Sequence, residues 1–129
     1  METTTVWKSA HAFTSTYNNS TIEIDGNGYS PKALLLTGLA GCTGIDLVDL
    51  LEKMRVPHGG VEIKVQTEQT SEHPRVFKDI HIVYRVKTGA ENRDKVKKAI
   101  DLSLEKYCGV SAMLQKNSKI DYSIELLEA

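Results

Sequence analysis

The residues of this chain best suited to chemistry are its two cysteines. Cys42 stands in Leu39-Ala40-Gly41-Cys42-Thr43-Gly44, inside an apolar segment. Cys108 follows Tyr107, precedes Gly109, and can open a short helix near Val110. A thiol at a helix start has a lowered pKa and greater reactivity. Each cysteine also has a plain reading: Cys42 as a small buried hydrophobe, Cys108 as an inert loop residue. Together they suggest more. One thiol in an apolar pocket and a second at a mobile helix start match a peroxidatic and a resolving cysteine. The first is oxidised to a sulfenic acid and the second condenses with it to a disulfide. Their positions in the sequence leave open whether the two can bond. Gly38, Gly41 and Gly44 add a stripe beside Cys42. Glycine inside a helix costs about 1 kcal/mol relative to alanine, so the stripe implies close backbone approach or room for a ligand over the thiol.

Other groupings carry less. Asp46 and Asp49 share a helix face, and Asp49 with Lys53 makes an i,i+4 pair. They read as the wet or interfacial side of the helix. His11, His58, His73 and His81 show no metal-ligand spacing with either cysteine. His11 reads as a residue of the first strand. Trp7, Phe13 and Tyr17 are expected to pack on a sheet or line an apolar pocket. The chain has no phosphate loop, dinucleotide fingerprint or CxxC motif, so neither a bound metal nor a cofactor is expected.

The elements that must position the cysteines follow from pattern. Strands are expected over residues 1–28, with Asn18-Asn19-Ser20 and Gly26-Asn27-Gly28 as turns. Ser30-Pro31 caps a helix that runs over about 30–55 and stops before Pro57. Twenty-four residues span about 36 Å. Its first half is apolar nearly all round, through Leu34, Leu35, Leu36, Leu39, Ala40 and Ile45. Such a helix needs cover on every side, which predicts a homodimer. A strand hairpin follows over 60–88, turning at Ser71-Glu72-His73-Pro74, with Val61, Ile63, Val65 and Ile80, Ile82, Tyr84, Val86 facing one way. Helices and a final strand fill 91–127, with Val96, Ala99, Ile100, Ser103, Leu104 and Tyr107 on one helix face. The predicted class is α+β, with antiparallel sheets around a long central helix in a single domain, residues 1–129.

Composition excludes several functions. Of 129 residues, 40% are hydrophobic and 26% charged, a globular balance. Sixteen basic against seventeen acidic residues give a net charge of −1, which disfavours nucleic acid and anionic membranes as partners. The uncharged apolar run from Ala33 to Ile45 is 13 residues, short of the roughly 20 a membrane span needs. Met1-Glu2-Thr3-Thr4-Thr5 lacks the pattern of a signal peptide. The expected compartment is the reducing cytoplasm, where two cysteines are free or redox-active.

Several segments resemble the OsmC/Ohr family. Ser30-Pro31-Lys32-Ala33-Leu34-Leu35-Leu36, Gly41-Cys42-Thr43, Asp46-Leu47-Val48 and Glu52-Lys53-Met54-Arg55 are similar to its central segment. Tyr107-Cys108 and Ser111 resemble its second cysteine motif, with Gly109 where a proline is usual. The order of elements agrees over essentially the whole chain. The resemblance implies an intertwined homodimer with sheets wrapped around paired central helices. It implies thiol-dependent reduction of organic or lipid hydroperoxides, with Cys42 peroxidatic, Cys108 resolving, and a dithiol or lipoylated protein as external reductant. Two departures stand out. The family's peroxidases carry a glutamate where this chain has Lys32, and an arginine in the N-terminal strands, whereas here Arg55 is the first arginine. The match is to an OsmC-like branch lacking the Arg/Glu pair. A thiolate needs a cation or hydrogen-bond donor near it. Lys32 lies about 15 Å from Cys42 along a straight helix and reads either as a solvated first-turn lysine or as a replacement cation. Arg55 and His58 are further candidates at the helix end, and Gly41 and Thr43 flank the thiol. The alternative function is a dimer that holds a small ligand or senses redox state without turnover.

Overall fold

The computed structural model describes residues 1–128, which form two compact units, the first ending at Leu36 and the second beginning at Thr37. The first unit is an antiparallel meander of β1 (Thr4–Ser9), β2 (Ala12–Tyr17) and β3 (Ser20–Asp25). Asn18 and Asn19 both take positive φ, 45° and 65°. That is the two-residue turn whose twist suits a hairpin, and it pairs Tyr17 with Ser20. His11 sits in the turn between β1 and β2 rather than in the first strand. Trp7, Phe13 and Tyr17 are exposed, and the Trp7 indole N–H donates to the Ala10 carbonyl at 2.9 Å.

Helix α1 (Pro31–Lys53) starts in this unit and continues into the second. Ser30 caps it as predicted, its Oγ accepting from the Ala33 N–H at 3.2 Å. It ends where Arg55 turns left-handed, φ 57°, and the Val56 N–H returns to the Leu51 carbonyl at 2.9 Å. By length and composition alone α1 could cross a membrane. However, Leu39, Thr43, Leu47 and Leu51 are fully buried at intervals of four, which is the inward stripe of a core helix.

The second unit is built on a three-stranded sheet ordered β4 (Val61–Gln69), β5 (Phe77–Lys87), β6 (Ile120–Leu127). β4 and β5 form the expected hairpin. Central β5 buries Ile80, Ile82, Tyr84 and Val86 almost completely. β6 lies parallel to β5, pairing Ile80 with Ile120 and Tyr84 with Ile124, so this sheet is mixed rather than wholly antiparallel. Two parallel neighbours require a crossover. Here it comprises α2 (Arg93–Leu102), a widened π turn (Ser103–Tyr107) and α3 (Gly109–Leu114). The helix expected to run to Tyr107 therefore changes pitch at Ser103. Val96, Ala99, Ile100 and Ser103 are buried, but Tyr107 is half exposed with the Lys106 ammonium 5.2 Å from its ring centre.

Candidate functional site

Cys42 lies midway along α1, and Cys108 between the π turn and α3. Both are free thiols. Cys42 is half-buried and Cys108 only 3% exposed. The structure brings them together: the two sulfurs and a carboxylate oxygen of Asp46 all lie within 4.8 Å of one another. A disulfide needs the two sulfurs to close to about 2 Å.

The π turn is what places Cys108. Its backbone N–H donates to the Ser103 carbonyl at 2.7 Å, closing the wide turn. Isolated π turns of this kind are frequent at functional sites. Its sulfur then caps α3, accepting from the Ser111 N–H at 3.4 Å, while Ser111 Oγ donates to the Cys108 carbonyl at 2.9 Å. The helix start does not make this thiol acidic, contrary to expectation. Burial pushes Cys108 above the ordinary thiol range, the neighbouring Cys42 pushes the same way, and the Ser111 hydrogen bonds offset only part of the rise.

Asp46, expected from sequence on the wet or interfacial side of the helix, is half-buried and joins the cluster. The available signal was its position four residues after Cys42, on the same helix face. A buried hydroxyl chain holds it. Ser103 Oγ donates to Asp46 Oδ2 at 2.9 Å. Thr43 Oγ1 lies 2.8 Å from Ser103 Oγ and 2.8 Å from the Tyr84 phenol. Each hydroxyl has one proton and a carboxylate only accepts. Donation therefore runs Tyr84 to Thr43 to Ser103 to Asp46. Thr43 and Ser103 are fully buried, as is Tyr84, whose phenol burial pushes well above the ordinary tyrosine range. Tyr84 also meets the Tyr122 ring edge-on, centroids 5.8 Å apart.

The other sequence candidates lie elsewhere. Gly41 and Gly44 line an apolar groove with Ala40, Ile45, Val48 and Ile63, not a space over the thiol. A Cβ on Gly44 would meet Ile63 Cδ1 at 2.9 Å, whereas Gly41 faces open space. Gly44 thus permits the close approach of α1 to β4. Arg55 is the left-handed residue ending α1, and the thiol cluster does not include it. Lys32 is in the first turn of α1, ten residues before Cys42.

Residues 24–123 match the family model described as OsmC-like protein. The chain belongs to the OsmC family. It is 39% identical over 113 residues to the protein YhfA of Escherichia coli K12, an alignment covering 84% of each chain. This OsmC-family fold superimposes on that of a hypothetical protein from Aquifex aeolicus VF5 with a TM-score of 0.91 and 26% identity, covering 99% of this chain and 96% of that one. The organic hydroperoxide resistance protein OhrB of Bacillus subtilis shares the fold at a TM-score of 0.70 and 17% identity, with 96% of each chain covered.

Proposed function

We propose that this OsmC-family chain is a thiol peroxidase for organic hydroperoxides, working as a homodimer in the cytoplasm. The observation that carries this reading is the pair of free sulfurs within 4.8 Å, one half-buried and one buried. The accessible Cys42 thiolate attacks the distal peroxide oxygen. The O–O bond breaks, and the alkoxide takes a proton and leaves as an alcohol. Cys42 is left as a sulfenic acid. The buried Cys108 thiol condenses with it; the S–S bond forms and water leaves. The two thiols together supply the two electrons that reduce the peroxide to alcohol and water. An external dithiol, free or carried on a lipoylated protein, then restores both thiols by exchange. An apolar pocket completed over Cys42 would favour alkyl peroxides over hydrogen peroxide, because an apolar substrate gains about 25 cal/mol for each Å² it buries.

The dimer rests on surface chemistry. Ile45 is 67% and Val48 41% exposed on the apolar groove of α1 and β4, a patch that a second copy would cover.

A second reading is favoured by the carboxylate of Asp46 beside the thiols and by Lys32 in place of the family glutamate. In it the dimer holds a small ligand or senses redox state without turnover. One experiment separates the peroxidase from the ligand-holding form. Reduced protein is mixed with one equivalent of an organic hydroperoxide, and its intact and peptide masses are recorded without reductant. A Cys42–Cys108 disulfide forming within seconds, and faster than with hydrogen peroxide, supports the peroxidase. Thiols untouched over minutes refute it and favour the binding reading.

A further inference from the structure

The thiol cluster contains more than a peroxidatic pair requires. Two sulfurs and a carboxylate oxygen meet within 4.8 Å, and soft sulfur donors completed by a carboxylate suit zinc-class ions. Tetrahedral zinc, with Zn–S about 2.3 Å and Zn–O about 2.0 Å, spaces its donors about 3.5 to 3.8 Å apart. Reaching that from the observed envelope takes about 1 Å of side-chain movement. The carboxylate also has support behind it. Ser103 holds Asp46 Oδ2 at 2.9 Å and is itself fixed by Thr43 and Tyr84. Outer partners of this kind orient metal ligands. A small cleft lined by Asp46, Asp49, Leu50, Lys53 and Tyr107 borders the cluster at Asp46.

We infer that the reduced site binds one thiophilic divalent cation of the zinc class through Cys42 Sγ, Cys108 Sγ and the Asp46 carboxylate, with water in the fourth position. Both thiols release their protons to solvent as the ion binds. The product, two thiolates and a carboxylate around a 2+ ion, carries one net negative charge. Neither sulfur changes oxidation state. On the peroxidase reading, the bound ion occupies the electron pair that would attack peroxide, so metal loading and oxidation exclude each other.

The test uses the whole reduced chain and Cd²⁺, whose thiolate complexes absorb in the near ultraviolet through charge transfer. The expected titration saturates at one Cd²⁺ per chain. Zn²⁺ reverses it, and Mg²⁺ or Ca²⁺ in large excess does not. Cys42→Ser and Cys108→Ser each remove about half the band, one of two thiolates. Asp46→Asn keeps both thiolates and the band but weakens binding by about tenfold or more, at least the effect of losing an outer partner. Circular dichroism verifies that each variant is folded. Absence of a saturable band overturns the site, as does an unchanged affinity in Asp46→Asn. No peroxide enters this assay, so the two readings fail separately. Tight Cd²⁺ binding with no peroxide-induced disulfide refutes the peroxidase alone. A disulfide without a Cd²⁺ band refutes the metal site alone.

Discussion

Thr43→Val tests whether the hydroxyl chain beneath the thiols holds the site together. The substitution is close in volume and keeps the buried stripe apolar, so it leaves almost no cavity. What it removes is one hydroxyl, fully buried, that lies 2.8 Å from both Tyr84 and Ser103. A buried hydrogen bond contributes about 1 kcal/mol net, and a buried donor left without an acceptor costs about 1–3 kcal/mol. Ser103 keeps its bond to Asp46, so Tyr84 is the group that loses its only hydroxyl acceptor in the chain. The expected loss is about 2–4 kcal/mol, read from urea unfolding of the reduced protein at unchanged m-value. Adding Tyr84→Phe removes the orphaned donor. The double variant is then expected to be more stable than the sum of the two single losses predicts, by about 1 kcal/mol or more. A Thr43→Val loss below about 0.5 kcal/mol, the range of ordinary surface substitutions, or strict additivity in the cycle, would refute the donation order Tyr84–Thr43–Ser103–Asp46.

Two further predictions follow from exposed and buried groups. Ile45→Asp places a charge on the open apolar groove; on the dimer proposed above, light scattering on a sizing column is expected to show wild type as a pair and the variant as a folded single chain, and a variant that stays paired would move the interface elsewhere. Tyr84 gives a pH signature. Its folded pKa is raised by burial, so its contribution to stability is fully present below the ordinary tyrosine value near 10 and is lost as pH rises through the higher folded value. Above pH 10 stability should fall more steeply in wild type than in Tyr84→Phe, by up to about 1.4 kcal/mol per pH unit; equal slopes in alkaline urea titrations would show that the phenol does not stay protonated in the fold.

Much of the arrangement is legible in the residues. Ser30-Pro31 marks the start of α1 because a serine cap and a proline at the first helical position satisfy the same end by different means. The period-two pattern of Ile80, Ile82, Tyr84 and Val86 marks a strand with one buried face, and all four side chains are buried. The direction of β6 is not legible, because alternation along a strand is the same whether its neighbour runs parallel or antiparallel. The π turn is hidden for a related reason. Its extra residue breaks no local rule, yet it turns Tyr107 outward from a face that helical periodicity assigns to the core. The part Asp46 takes in the cluster is not legible either, because an acid on a helix is usually solvated. The hydroxyl that holds it comes from Ser103, 57 residues away, and no local pattern signals a partner at that distance.

The same chemistry bears on how this chain does without the family's arginine and glutamate. Three neighbouring positions on one helix have different tasks. Thr43 shares the inward stripe with Leu39, Leu47 and Leu51, so its hydroxyl is fixed in the core. Cys42 and Asp46, four apart, project together toward Cys108. Ser103 joins the two faces. Its hydroxyl accepts a hydrogen bond from Thr43 and donates one to Asp46, and its carbonyl accepts from the Cys108 N–H. One residue thus sets both the carboxylate and the second cysteine against α1. With its orienting groups inside the core, such a site is positioned by the fold itself and needs no arginine for that purpose. What the arginine would add is positive charge for a thiolate, and this cluster instead presents a carboxylate. On the proposed peroxidase and cation-binding readings, that exchange means slower attack on peroxide and stronger capture of cations, and it predicts that the two properties trade against each other at Asp46.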